Sequence, residues 1–157
     1  MSRSRGQSVL YAVLLMPTLM LVFALAVDIA NLQMQKLRLR YAVDLATVTA
    51  AIAVDSEYYS RTGRLQLDPI AATATAREYL LRNLDGLPDI FSPAAVASGA
   101  DIAVINRVPA RDPYTGMMLD RPAVCARIHV PHRFSLLGWI GVRAVELTVA
   151  ANAEIRI

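Results

Sequence analysis

Residues Ser8–Val27, SVLYAVLLMPTLMLVFALAV, form an uncharged and almost wholly apolar stretch near the start of the chain. At about 1.5 Å of rise per residue, a helix of this length extends roughly 30 Å, which matches the hydrocarbon core of a bilayer. Pro17 lies inside the stretch, and transmembrane helices tolerate proline at such positions. The stretch therefore predicts a helix that is anchored in a membrane or threaded through one.

Two interpretations of this stretch are open. A secretory signal would use Arg3 and Arg5 as its basic start and would be cleaved after Ala26, which would release a soluble α+β binding domain. A retained transmembrane helix is favoured for two reasons. The stretch is longer than the usual signal core of about 7–15 residues, and a helical pattern continues beyond it without a break.

That continuing pattern has the spacing of one helix face. Its members, which we call the apolar stripe, are Ala30, Met34, Leu37, Tyr41, Leu45, Val48 and Ile52. The pattern predicts a single helix over residues 8–56, with its first part in lipid and the rest projecting into water or packed on protein. We expect the stripe to be a face for assembly with other helices.

Two further features concern this helix. Ala46, Ala50 and Ala53 form an edge of small residues, which either admits a second helix or packs on the protein's own sheet. Asp28 ends the apolar stretch, where a carboxylate can reach the interface without being buried. Basic residues flank both ends of the stretch, so charge hardly decides orientation. We expect the N-terminus inside, because the short tail offers nothing to export.

The remainder of the chain predicts a small domain. Residues 58–64 are expected to be a connection, and a second helix is predicted over residues 69–84. Asp68 suits its N-cap and Pro69 its first position. Its predicted core side consists of Ile70, Ala74, Leu81 and Leu84.

Two-residue alternation dominates the last third of the chain. The clearest case is residues 145–157, where Val145, Leu147, Val149, Ala151, Ala153, Ile155 and Ile157 alternate with mostly polar residues. Residues 124–130 follow the same pattern, and residues 102–108 do so more weakly. These strands predict an antiparallel sheet with one solvated face and with the helices on the other. The fold class is therefore α+β, divided into a basic tail (1–7), the long helix (8–56) and an α+β domain (57–157).

Composition excludes some classes of function. The net charge is +3, and no basic patch interleaved with aromatic residues occurs, so nucleic acid is not an expected partner. Cys125 is the only cysteine and cannot form an internal disulfide, so we expect a small buried side chain.

Candidate chemistry is sparse. His129 and His132 lack the helical spacing of a zinc motif, and we interpret them as surface histidines. Asp112 and Asp120, in the loop over residues 109–122, could hold a cation but also suit ordinary turns. We expect no enzyme activity, no cofactor and no metal.

The N-terminal residues resemble a known family. The features are Arg5-Gly6-Gln7, the apolar segment with Pro17, the acidic Asp28 at its outer end, and residues 39–53 with Asp44 inside them. Together they are similar to the TadE/TadG-like proteins of the tight adherence (Tad) pilus assembly system. The end of the chain, residues 132–138 followed by an alternating strand, resembles that family more loosely.

The resemblance implies a pilin-like membrane subunit. It implies a single-pass protein of the bacterial cytoplasmic membrane, with its domain extracytoplasmic, that contacts other pilus subunits in a homo- or hetero-oligomeric assembly. Prepilin peptidase would cut between Gly6 and Gln7. The fifth residue of the mature chain would then be Tyr11 rather than the usual glutamate. An uncleaved assembly component therefore suits the sequence at least as well as a minor pilin.

Overall fold

The protein consists of two compact units, and one long helix contributes to both. The computed structural model describes residues 3–88, 90, 92–141 and 144–155, with the side chains of residues 3–10, 139 and 140 outside the description. The first unit contains the chain up to Gln35 together with His132–Val145. The second contains Lys36–Pro131 together with the residues from Glu146 onward.

Helix α1 spans Arg3–Ala50 and contains Pro17. It begins before the predicted start at Ser8 and ends six residues before the predicted end at Ser56. The helix ends because the chain turns back on itself: Val54 forms an isolated bridge with Leu67, and the Asp55 N–H donates to the carbonyl of Gln66. The prediction of a long N-terminal helix is confirmed, and its predicted end is wrong.

Helix α2 spans Ser56–Thr62, where the sequence predicted a connection. The Asp55 carboxylate caps it by accepting the Tyr58 N–H at 2.8 Å. Gly63 ends it with φ of 67°, a left-handed conformation that favours glycine. Only Gly63 and the residue after it therefore keep the predicted role of a turn.

Helix α3 spans Pro69–Asp85, close to the predicted range, and helix α4 over Pro93–Ser98 was not predicted. The predicted cap of α3 is confirmed, since Asp68 accepts the N–H groups of Ile70 and Ala71. The predicted core side is wrong except at Leu84. Ile70 is 83% exposed, and the buried residues are Ala72, Ala76, Leu80 and Leu84. Small alanines let the helix lie close to the sheet, so the larger Ile70 does not mark the inner side.

Three strands form the main sheet, in the order β1 (Asp101–Ile105), β4 (Ala123–Arg133) and β5 (Ala144–Glu154). Strands β1 and β4 are antiparallel, with Ala103 opposite Cys125. Strands β2 (Ala110–Arg111) and β3 (Met118–Leu119) form a separate antiparallel pair inside the predicted loop. The predicted α+β fold with about three antiparallel strands is confirmed.

The main core of the second unit lies between the helices and one face of the sheet. It joins the end of α1, α3 and the strands through Ala50, Ala51, Leu67, Ala72, Ala76, Val124 and Ile155. On β4, Val124, Ala126, Ile128 and Val130 are buried as the alternation predicts. On β5, Leu147, Val149 and Ala151 are buried, whereas Val145 is 41% exposed. Ile157, which was also predicted on this face, lies outside the described residues.

The other face of the sheet is not fully solvated, which corrects the prediction. Leu119, Ala123 and Cys125 form a second buried cluster, with Ala103, Ile105 and Tyr114 packed against it. The β2–β3 segment therefore covers part of this face. Cys125 is fully buried and free, as predicted.

Candidate functional site

The apolar stripe lies on the uncovered side of helix α1. In the second unit, Leu37 and Tyr41 are 65% and 71% exposed, and Leu45 and Val48 are exposed as well. The predicted last member, Ile52, is 74% exposed but lies in the turn after α1 ends at Ala50. Ala30 and Met34, in the first unit, are also exposed. The buried side of the helix is another one, made by Leu39, Ala42, Val43, Ala46, Thr47 and Ala50. At 100° per residue the two sets fall on roughly opposite sides, so the domain does not use the stripe for its own core.

The edge of small residues packs on the protein itself. Ala46 and Ala50 are buried, and Ala50 belongs to the core cluster with Val124 and Ile155. Ala53 is partly buried against the same cluster. Of the two alternatives that the sequence left open, packing on the protein's own sheet is therefore the one confirmed.

Asp28 is the most constrained polar residue of the first unit. It is 1% exposed, which corrects the expectation of an unburied carboxylate. Its oxygens accept three consecutive backbone N–H groups, from Ser135 at 3.2 Å, Leu136 at 3.0 Å and Leu137 at 2.6 Å. A carboxylate can leave water when such donors replace its hydration.

A second contact in the first unit joins α1 to the end of β4. The His132 Nδ1 and the Gln35 Oε1 form a hydrogen bond, and both side chains are buried. The ring of Phe134 meets the His132 ring edge to face, with centroids 5.4 Å apart. The interpretation of His132 as a surface residue is therefore wrong. Because strand residues alternate between faces, His132 lies on the same face of β4 as the buried Ile128 and Val130.

His129 lies on the opposite face of β4 and belongs to a different environment. Its Nδ1 is 3.1 Å from the Thr148 hydroxyl and 3.2 Å from a carboxylate oxygen of Glu146. His129 is exposed, as predicted. Among the described residues, no group of three or more His, Cys, Asp or Glu side chains is arranged to hold a metal ion.

Asp112 and Asp120 do not form a pair. Asp112 is buried and accepts the Thr115 hydroxyl, the Tyr114 N–H at 2.8 Å and the Asn152 amide at 2.6 Å. Burial alone would raise the pKa of Asp112, but these hydrogen bonds outweigh it and hold the pKa below its usual value. Asp120 is exposed, and its backbone N–H donates to Glu154. Since donors already occupy the Asp112 oxygens, turn chemistry accounts for this loop.

Cys125 has the character of a core residue rather than a nucleophile. Burial, reinforced by the nearby Asp112 charge, raises the pKa of its thiol to about 12. Thiolate is the reactive form of cysteine, so the side chain stays protonated and inert near neutral pH.

The Asp28 contact could not have been found from the sequence. The acidic residue at the end of the apolar stretch is visible there, but its partners are backbone groups more than a hundred positions away. Backbone donors carry no signature in residue identity. The predicted peptidase position, Gly6 and Gln7, lies within α1, and its side chains are outside the described residues.

One helix among the described residues is long and apolar enough to cross a membrane. The candidate span lies within Tyr11–Ala50, and 6% of its most apolar window is buried in the structure. That small buried share distinguishes it from the core helix of a soluble domain, although a signal sequence near the N-terminus would have the same length and composition.

Comparison with known proteins gives one finding for this helix. No curated protein and no solved structure matches the chain significantly. A family model described as putative Flp pilus-assembly TadE/G-like matches residues 6–53, which include the span, Asp28 and the apolar stripe. The resemblance seen in the sequence is confirmed over these 48 of the chain's 157 residues.

Proposed function

We propose that the protein is a membrane-anchored component of a Tad-type pilus assembly system for secretion or adhesion, acting through helix and surface contacts. The observation that carries the proposal is the family match over residues 6–53. A pilus-assembly family points to a structural rather than a catalytic role. The distribution of apolar surface along α1 supports the same role, because assembly subunits need surfaces that their own domain leaves uncovered.

The anchor is proposed to be the Ser8–Val27 part of α1. From Tyr11 to Phe23 every described side chain is exposed, and these include large ones such as Met16, Met20 and Phe23. So much exposed apolar surface would be costly in water, and a bilayer removes that cost. In this proposal the protein is a single-pass protein of the bacterial cytoplasmic membrane.

The second unit is proposed to lie outside the cytoplasmic membrane and to contact other pilin-like or assembly subunits. The part of the apolar stripe from Leu37 to Val48 supports such contacts, because it presents large side chains at helical spacing on a well-packed domain. Either homo- or hetero-oligomers would cover it. Incorporation into a filament as a minor pilin is the finer form of this proposal.

Membrane anchoring is tested by extracting membranes that contain the full chain. We expect the protein to stay with the membranes through high-salt and alkaline carbonate washes and to dissolve only in detergent. A protein that is secreted and cleaved after Ala26 would appear in the soluble fraction and begin at Val27. That result would contradict the anchor and would favour the secreted binding domain.

The intact mass of the native protein tests processing in the same preparation. An uncleaved chain would favour a resident assembly component, and a chain that begins at Gln7 would favour a pilin processed by prepilin peptidase. We expect no cleavage at Gly6, because Tyr11 stands where processed pilins carry glutamate.

A further inference from the structure

We propose that the loop over residues 134–141, here called the Asp28 loop, enters the outer interface of the bilayer beside helix α1. Its partner is then lipid, and the protein touches the membrane at a second place besides its span. This inference rests on the proposed function, because it requires α1 to be the membrane anchor. The loop ends in a short 3₁₀ helix over Leu137–Ile140.

The first argument is where the loop lies within the first unit. Leu136 is 42% exposed and lines one groove together with five residues of α1, namely Met16, Leu19, Met20, Phe23 and Ala24. All five belong to the uncharged Ser8–Val27 stretch. A membrane that surrounds this part of the helix therefore also meets Leu136. Acyl chains suit the groove, because all of its lining side chains are apolar.

The second argument is that three backbone N–H groups of the loop already have hydrogen-bond acceptors. Irregular backbone is normally kept out of a bilayer, because its polar groups have no water to bond. Here Asp28 accepts the N–H groups of Ser135, Leu136 and Leu137, at distances from 2.6 to 3.2 Å. One carboxylate at the end of the apolar stretch thus satisfies three consecutive loop donors. The donors in turn replace the water that Asp28 loses through burial.

The third argument is that the start of the loop is fixed to the same helix. His132 bonds Gln35, two helical turns beyond Asp28, and Phe134 packs on the His132 ring. Two attachments to α1 therefore hold an apolar loop beside the span.

The test uses Trp139, the single tryptophan of the chain, which lies within the 3₁₀ helix. The full chain is placed in nanodiscs of phosphatidylcholine and phosphatidylglycerol whose acyl chains are either unmodified or brominated near the headgroup. Bromine quenches tryptophan at close range, so we expect a fluorescence loss of roughly half if the ring reaches the interfacial layer about 5–10 Å deep. A positive control is Leu19→Trp in a Trp139→Phe background, with lipids brominated near the chain ends.

The outcomes separate this inference from the proposed function. If the chain elutes with the nanodiscs and Trp139 is not quenched, the loop proposal is overturned while the anchor stands, and the groove is left for another protein chain. If the chain does not elute with nanodiscs, the anchor fails and the loop proposal fails with it. Quenching in nanodiscs that hold one protein copy supports lipid as the partner.

The role of Asp28 is tested with two variants. Asp28→Ala removes both carboxylate oxygens that accept the three loop N–H groups. It should reduce the quenching of Trp139 to less than half of the wild-type value. Asp28→Asn keeps one carbonyl oxygen and should fall between the two. Circular dichroism of each variant in nanodiscs checks that α1 remains helical. Equal quenching in the wild type and in helical Asp28→Ala would overturn the role given to this carboxylate.

Discussion

Helix α1 exposes apolar side chains in two different ways along its length. In the stretch from Tyr11 to Phe23, residues on every side of the helix are exposed. From Leu37 to Ala50, one side is fully buried, with Leu39 and Val43 at 0% exposure, while the other side carries the apolar stripe. The difference indicates two kinds of surroundings. Lipid surrounds a helix on all sides, whereas a protein partner needs one face.

The largest expected effect concerns the first of these stretches. Leu19→Arg should cost about 3.5 kcal/mol of insertion free energy, because arginine replaces leucine near the middle of the span. Leu37→Arg is the matched control, since Leu37 and Leu19 are similarly exposed, at 65% and 61%. The measurement is the fraction of full chain that stays with membranes after a carbonate wash. Equal retention of both variants would show that the two stretches do not differ in surroundings.

The second effect concerns the two sides of the later stretch. Leu39→Ala should lower the free energy of unfolding by about 3 kcal/mol, because it opens a cavity at a fully buried position. Leu37→Ala, two residues earlier and exposed, should change it by less than about 0.5 kcal/mol. Chemical denaturation of the full chain in detergent, followed by circular dichroism, measures both. Similar losses for both variants would contradict the assignment of a buried and an uncovered side.

The sequence predicted the elements better than it predicted their faces. Alternation in β4 and the Asp68 cap of α3 are local signals, and both were confirmed. The inner side of α3 was not found, because two of its four buried residues are the small Ala72 and Ala76, while the larger Ile70 is exposed. Hydrophobic size indicates burial only when no neighbour requires a close approach. In α3 the packing depends on the two alanines as much as on Leu80 and Leu84.

For the candidate site as well, local features could be predicted from the sequence and contacts between distant residues could not. The stripe from Ala30 to Val48 could be identified because it depends on residue spacing in one helix, and the structure leaves it exposed. Its role as an assembly face stays a prediction. The burial of Asp28 and of His132 could not be predicted, because it depends on contacts with Leu137 and Gln35, about a hundred positions away in each case. The end of α1 was also not predicted, because the residues after Ala50 still favour a helix. There the Val54–Leu67 bridge decides the boundary.

The smallest expected change in the free energy of unfolding comes from two cysteine substitutions that test whether the stripe contacts other subunits. Tyr41→Cys and Arg40→Cys place a thiol on adjacent residues that point in different directions, with Tyr41 on the stripe and Arg40 beside it. Both positions are exposed and the Arg40–Asp44 ion pair is a surface pair, so each variant should change the free energy of unfolding by less than about 0.5 kcal/mol.

Cross-linking in membranes then distinguishes the two thiols. The natural Cys125 is buried, so it should not react with a bifunctional maleimide in the folded protein. If the stripe contacts neighbouring subunits, Tyr41→Cys should give adducts of higher mass, whereas Arg40→Cys should give few. Equal yields would mean random collisions, and no adduct from either variant would remove the stripe as a contact face. In that case no subunit contact would explain why α1 exposes large apolar side chains such as Leu37 and Tyr41.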